Sequence, residues 1–220
     1  EVFGQENISI KEKTYEELRQ LNMGAKFVNK NGEMPYSNLQ GEEVPEDIRI
    51  ASLNEVYDYV ASVSENCFFL IEIKDDGEQG KRVADALYAM AKDKGLLNRT
   101  IIASFYHDVM MYVQDTYPDA YRGASRKEFV TFYFAALFNI KNYHPTFVAM
   151  QAPHDSFVDS FGANFATART LNYAHEHGIA LQYWTVNNPN EMRYLVNIKA
   201  DGIISDYPQT LYDIKKRILG

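Results

Sequence analysis

The chain has 220 residues, a length that can bury one sizeable hydrophobic core. Hydrophobic residues make up 46% of it and charged residues 24%, as in an ordinary globular protein. The net charge of -8 argues against a nucleic-acid surface, because phosphate backbones are bound by clustered lysines and arginines. No apolar run approaches the roughly 20 residues of a transmembrane helix, and the single cysteine, Cys67, excludes an intrachain disulfide.

Two helix starts flank a long loop in the first part of the chain. Thr14 and Ser52 each precede a glutamate by three residues, which is the spacing of a capping box. The first predicted helix runs to about Met23, where Gly24 can end it in the left-handed conformation. Residues 27–47 contain Gly, Pro, Asn and Glu without a hydrophobic period, so we expect a loop there.

Short apolar runs alternate with helical patterns from Cys67 onward. The candidate strands are residues 67–74, 100–105, 121–125, 146–151, 180–186 and 201–205. The predicted helices are residues 79–94, a helix ending at about 115, and residues 164–177, 189–198 and 208–218. This alternation indicates βαβ units and a parallel sheet buried on both faces. The aromatic segment 126–145 fits either a helix with a short extension or an apolar lip over a site.

Six such units do not close an eight-stranded barrel, so the periodicity alone also fits an open, doubly wound sheet. The strand ends carry more information. Alternation along residues 67–74 places Glu72 and Lys74 on the face that begins with Phe68 and Leu70. Active sites of α/β barrels lie at the carboxyl ends of strands. A charged pair there is costly unless it meets a metal, a phosphate or another charge, so the pair indicates either a site or a structural ion pair.

Two later strands also end in polar or amphipathic side chains. Trp184 shares a strand face with Gln182 and Val186, which places an indole near the same end of the sheet. A core tryptophan is the alternative interpretation. Gln151 ends an apolar strand face and is a second polar candidate for substrate binding. Each of these signals is weak when taken by itself.

Taken together and in order, these strand ends resemble the bacterial glycerophosphodiester phosphodiesterase family. The matching motifs are IEIK at 71–74, ASF at 103–105, HG at 177–178, WTVN at 184–187 and DGIISDYP at 201–208. The upstream runs TYEELRQLNMG and RIASLNEV resemble the family's segment between its second and third strands. The resemblance implies that residues 1–220 form a single domain, a (βα)8 TIM barrel of the phosphodiesterase type. Six of its eight βα units are expected here, without the first two strands.

The resemblance also implies an activity and a role for individual residues. The family hydrolyses glycerophosphodiesters to glycerol 3-phosphate and an alcohol, using calcium or magnesium. Glu72 corresponds to the metal ligand on the third strand, Lys74 to the lysine on the substrate phosphate, and Trp184 to the tryptophan on the glycerol side. This arrangement is chemically coherent. Hard cations prefer carboxylate oxygens, and a metal with a lysine offsets charge on the phosphoryl oxygens.

Several family motifs do not occur at their expected places. These are an HRG motif on the first strand, an E-x-D pair on the second and an HD dipeptide soon afterwards. The HD dipeptides that begin at His107 and His154 follow later strands instead. The catalytic histidines are therefore unknown, and we expect this chain alone to be inactive. A non-catalytic binding or structural barrel of the same origin and an enzyme similar to phosphatidylinositol-specific phospholipase C remain as alternatives.

Overall fold

The computed structural model of the protein describes residues 9–154 and 164–220. The chain divides into two compact units, residues 1–67 and residues 68–220. Within the described ranges, no helix combines the length and the hydropathy that a membrane crossing requires.

The described part of the first unit, residues 9–67, contains two α-helices. They are α1 (Tyr15–Arg19) and α2 (Leu53–Val63), with short 3-10 turns at Gly41–Glu43 and Glu46–Ile48 between them. Both predicted capping boxes are present, at Thr14 and at Ser52. Hydrogen bonds from the Tyr15 hydroxyl and from Ser52 lower the pKa of Glu55 to about 2.

The predicted end of the first helix was wrong. α1 stops at Arg19, and Gly24 is not in the left-handed conformation. Gly24 packs closely against Ile48 and Tyr36 instead, and a Cβ atom at this position would lie 2.7 Å from Ile48 Cγ2. The glycine is therefore required for space and not for its backbone angle.

The second unit is an α/β structure in which every described strand pairing is parallel. Its strands are β1 (Phe69–Glu72), β2 (Thr100–Ala103), β3 (Tyr121–Arg122), β4 (Ala149–Pro153), β5 (Ala180–Trp184) and β6 (Gly202–Ile203). They form two ladders, β1-β2-β3 and β4-β5-β6. An isolated parallel bridge between Gly123 and Ala149 joins the ladders, so the strands follow one another in chain order.

Helices follow the strands as the sequence predicts. They are α3 (Gly77–Asp93), α4 (His107–Thr116), α5 (Arg126–Phe138), α6 (Ala168–Glu176), α7 (Pro189–Asn197) and α8 (Pro208–Leu219). α3 is closed by Gly95, which has a φ of 67°. Within the segment 126–145, α5 begins with a capping box at Ser125 and ends at Asn139.

The hydrophobic core lies between the second ladder and the helices that cover it. Met150, Leu181 and Tyr183 are almost completely buried there, together with Phe132 of α5. Of the side chains of opposite parity, Ala149 is buried, but Gln151 and Pro153 on β4 and Gln182 and Trp184 on β5 are only half-buried. The strand alternation thus leaves one face of this ladder for packing and the other for a site.

Candidate functional site

A cavity of about 660 Å³ lies at the carboxyl ends of the strands in the second unit. Glu72, Lys74, Gln151 and Trp184, the four residues predicted as site residues, all line it. They come from β1 and the residues just after it, from β4 and from β5. The structure therefore brings together residues that lie up to 112 positions apart in the chain.

The acidic and basic residues of the cavity are positioned by the pleat of β1. Phe69 and Ile73 are buried, whereas the side chains of opposite parity, Glu72 and Lys74, are partly exposed and line the cavity. The Ile73 amide donates to Ala103 O at 2.7 Å, and the Ser104 hydroxyl donates to Ile73 O at 2.8 Å. These bonds fix the backbone beyond the last residue of β1.

Glu72 and Lys74 form an ion pair that water can reach. Lys74 Nζ lies 2.7 Å from Glu72 Oε2, and the two side chains are 75% and 34% exposed, respectively. Exposed ion pairs contribute little to stability, typically about 0–1 kcal/mol. Because the pair is partly hydrated, its charges remain accessible to a ligand.

The opposite wall of the cavity is built by the register of β4 and β5. Gln151 pairs with Gln182, and Pro153 with Trp184. Gln151 Nε2 donates to Gln182 Oε1 at 2.9 Å, and Trp184 Nε1 donates to Gln151 O at 3.0 Å. A Cβ atom at Gly123 would lie 2.8 Å from Gln151 Oε1, so the glycine leaves the space that this amide occupies.

Phe105 connects the two walls and was not predicted as a site residue. Its ring centroid lies 6.0 Å from Lys74 Nζ and 5.7 Å from the ring centroid of Trp184. Both contacts are within the usual range for cation–π and aromatic pairs. The sequence signal was the ASF motif after β2, but nothing in that motif separates a wall residue from a packing residue.

A largely buried polar network lies at the start of α5 and reaches the cavity through Ser125, which belongs to the lining. The Ser125 hydroxyl donates to Glu128 Oε2 at 2.8 Å, and Arg122 donates to both carboxylate oxygens of Glu128. Burial favours the neutral form of Glu128, but the hydrogen bonds from Arg122 and the Ser125 amide outweigh it. The net effect holds the pKa of Glu128 below its usual range.

The two histidines of the HD dipeptides are tied to other groups. His107 Nδ1 lies 2.9 Å from Ser125 Oγ, and His154 Nδ1 lies 3.7 Å from Glu191 Oε2. Neither belongs to the described lining of the cavity. Asp155, which follows His154, lies outside the described residues.

The described lining of the cavity is poor in the oxygen ligands that a divalent cation requires. Among the described residues that line the cavity, Glu72 is the one with a carboxylate, and Lys74 contacts it. Across residues 9–154 and 164–220, no three His, Cys, Asp or Glu side chains converge on a metal-sized position. Calcium takes six to eight oxygen ligands and magnesium a near-octahedral set. The described residues by themselves therefore do not fit such an ion.

Comparison with known proteins places this architecture among phosphodiesterases. Residues 2–210 match the Glycerophosphoryl diester phosphodiesterase family. A glycerophosphodiester phosphodiesterase from Caldanaerobacter subterraneus subsp. tengcongensis is 24% identical over 208 residues, which cover 94% of this chain and 73% of the relative.

Solved structures of low sequence identity share the fold. A phosphodiesterase from Silicibacter pomeroyi aligns with a TM-score of 0.64 at 20% identity, covering 93% of this chain and 68% of that one. A phosphodiesterase domain from Mycobacterium tuberculosis aligns with a TM-score of 0.67 at 16% identity, covering 94% and 76%. A phosphodiesterase from Oleispira antarctica, in complex with the product sn-glycerol-3-phosphate, aligns with a TM-score of 0.62 at 15% identity. The alignment covers 94% of this chain and 72% of that one. The fold is therefore α/β and similar to a TIM barrel.

Proposed function

The chain belongs to the glycerophosphoryl diester phosphodiesterase family, and we propose that its cavity binds a glycerophosphodiester. The reaction served by this site is the hydrolysis of that diester to glycerol 3-phosphate and an alcohol. The observation that carries the proposal is the meeting of Glu72, Lys74, Gln151 and Trp184 in one cavity. These are the positions for which the family resemblance or strand parity predicted a role.

Each of these side chains has a chemical role in the proposal. The exposed ammonium of Lys74 contacts a phosphate oxygen and offsets its charge. Trp184 and Phe105 form an aromatic wall against the glycerol carbons. Gln151, whose NH₂ group is already bonded to Gln182, has its carbonyl oxygen left to accept from a substrate hydroxyl.

The proposed cation, calcium or magnesium, requires more than the described residues offer. Glu72 remains the proposed acidic ligand, but no second carboxylate lines the described part of the cavity. A positioned proton donor for the leaving alcohol is worth typically about 10²–10⁴-fold in rate, and no histidine is found in the described lining. We therefore propose that this 220-residue chain binds the diester without turning it over.

The test combines a binding and a turnover measurement on the purified chain. Isothermal titration calorimetry with glycerophosphocholine is expected to show saturable binding. Phosphorus NMR of the same mixture, with calcium or magnesium added, is expected to show glycerol 3-phosphate release no faster than in buffer. Absence of binding contradicts the proposed site. Metal-dependent turnover by the monomeric chain contradicts the proposed inactivity and directs attention to His107 or His154.

A further inference from the structure

From Phe129 to Phe138, α5 has apolar side chains on its exposed side as well as on its buried side, and Thr131 is the exposed polar residue in this stretch. Phe129, Phe132, Ala135 and Ala136 are buried in the core. On the opposite side, Val130, Phe134, Leu137 and Phe138 are 46%, 48%, 47% and 68% exposed. A helix on the surface of a globular protein normally has a polar outer face. A contiguous exposed apolar surface commonly marks a binding site.

These four exposed residues, which we call the α5 track, continue directly from the cavity. Val130 both lines the cavity and begins the track. Phe134 and Leu137 follow it at i+4 and i+7, so the side chains lie along one side of the helix. At 1.5 Å per residue, the track from Val130 to Phe138 is about 12 Å long. The cavity therefore opens at one end onto an elongated apolar surface.

A positively charged side chain, that of Arg126, lies where the track meets the cavity. Arg126 lies one helical turn before Val130, lines the cavity and is exposed. The structure gives its side chain no ion-pair partner among residues 9–154 and 164–220. Of the ionisable groups described in the lining, Lys74 and Arg126 are positive and Glu72 is negative. The lining therefore has a net positive charge in a chain whose overall charge is -8.

The size of the track favours one narrow occupant. A buried aromatic side chain covers about 150–250 Å², and the four residues of the track are about half exposed. Together they offer a few hundred Å² at most, less than the roughly 800 Å² that each partner buries in a stable protein interface. One linear hydrocarbon chain fits this surface better than a second copy of the protein.

We propose that the α5 track binds the acyl chain of a single-chain phospholipid, a glycerophosphodiester that retains one acyl group. The phosphate lies between Lys74 and Arg126, and the chain runs outward over Val130, Phe134 and Leu137. This inference rests on the proposed function and narrows its substrate class. Each buried methylene adds to affinity, so the acylated ligand binds more tightly than its deacylated counterpart.

The test compares two ligands with the same head group by titration calorimetry on the purified chain. They are lauroyl-lysophosphatidylcholine, kept below its critical micelle concentration, and glycerophosphocholine. The lysolipid is expected to bind at least about tenfold more tightly. Phe134→Ser and Leu137→Ser should each reduce this ratio several-fold without weakening glycerophosphocholine binding. Arg126→Gln should weaken both ligands alike.

Tyr212→Ser is the matched control, since Tyr212 is 60% exposed on α8 and does not line the cavity. It should leave the ratio unchanged, and circular dichroism should show the same helical content in every variant. Equal affinities for the two ligands in the wild type overturn the inference and leave the proposed function in place. Binding of neither ligand overturns both.

Two further outcomes overturn the acyl-chain inference alone. A wild-type dimer that Phe134→Ser converts to a monomer in light scattering would assign the track to a second copy. Co-sedimentation with phosphatidylcholine vesicles that depends on Phe134, without a preference for the lysolipid, would assign it to a membrane surface.

Discussion

Two of the ion pairs in the second unit have similar N···O distances but different surroundings. Lys74 and Glu72 line the cavity and lie 2.7 Å apart, and Arg122 and Glu128, which are not in its lining, lie 2.8 Å apart. The first two side chains are 75% and 34% exposed, whereas the second two are 3% and 15% exposed. The distance alone does not distinguish them, but the burial does.

The bonds around each pair explain the difference. The Arg122 guanidinium also donates to Gly123 O, Gln114 Oε1 and Thr146 Oγ1, and only its Nε has no partner among the described residues. Such a pair positions β3 against α5, and its burial keeps it out of reach of a ligand. The Lys74 ammonium contacts Glu72 and the face of Phe105 and otherwise faces the cavity. The buried pair is therefore structural, and the exposed pair is suited to binding.

The largest expected effect is on stability and concerns the buried pair. Arg122→Met leaves the Glu128 carboxylate buried without its cation, which typically costs about 3–5 kcal/mol. Lys74→Met removes a cation of the exposed pair and should cost about 0–1 kcal/mol. Urea denaturation gives both free energies of unfolding. Equal losses in the two variants would remove the distinction between the pairs.

The second expected effect is on binding and concerns the exposed pair. Lys74→Met removes a charged hydrogen bond to phosphate, worth about 1.5–3 kcal/mol, so glycerophosphocholine affinity should fall about 10- to 100-fold. Lys215→Met, an equal change of charge on the exposed part of α8, is the control. Titration calorimetry measures the glycerophosphocholine affinity of both variants, and only Lys74→Met is expected to lose affinity. An equal loss in the control would indicate a general charge effect instead of a contact.

Glu72→Gln should have the opposite effect on binding without metal. It frees the Lys74 ammonium from its carboxylate, so affinity for the diester should rise several-fold in a chelator-containing buffer. In a catalytically competent form of the enzyme, the same substitution removes the proposed metal ligand, and activity should fall by orders of magnitude. Near-normal activity at saturating calcium or magnesium would contradict the ligand role.

The smallest expected effect is a pH dependence of the buried pair. Burial opposes the charge on Glu128, but Arg122 and the Ser125 amide outweigh it, so its pKa in the folded state lies below the ordinary value of 4.5. A carboxyl group with a lowered folded pKa stabilises the fold above its unfolded pKa. That stability is lost as the pH falls through the folded pKa. The urea midpoints of the wild type and of Glu128→Gln should therefore converge as the pH falls below about 4.5. A difference between the two midpoints that stays constant with pH would contradict this prediction.

Local patterns were sufficient to predict much of the fold and of the candidate site. The period of two along residues 67–74 correctly put Glu72 and Lys74 on one face, because pleating depends only on the backbone. The capping boxes at Thr14 and Ser52 formed because their partners lie three residues away. The family membership that the ordered motifs indicated is confirmed as well.

Contacts between distant segments could not be predicted in the same way. A glycine is needed at position 24 because Ile48 packs against its backbone. Phe105 is part of the cavity wall because Trp184 lies beside it. The pairing of Arg122 with Glu128 spans only six residues, but it depends on how the chain turns from β3 into α5, which no sequence period contains. The assignment of residues 1–220 to a single domain, the number of units in the complete barrel and the roles of the site residues stay predictions.

The hydrogen bond from the Trp184 indole to Gln151 O has a consequence for selectivity. Tryptophan has one polar hydrogen, and here the neighbouring strand already accepts it. The ring therefore presents a flat surface without a free hydrogen-bond donor, and it selects a ligand by the ligand's thickness and shape. It donates no hydrogen bond to a hydroxyl group, so any hydrogen bond that selects one enantiomer of the glycerol moiety comes from Gln151, Lys74 or other polar groups around the cavity.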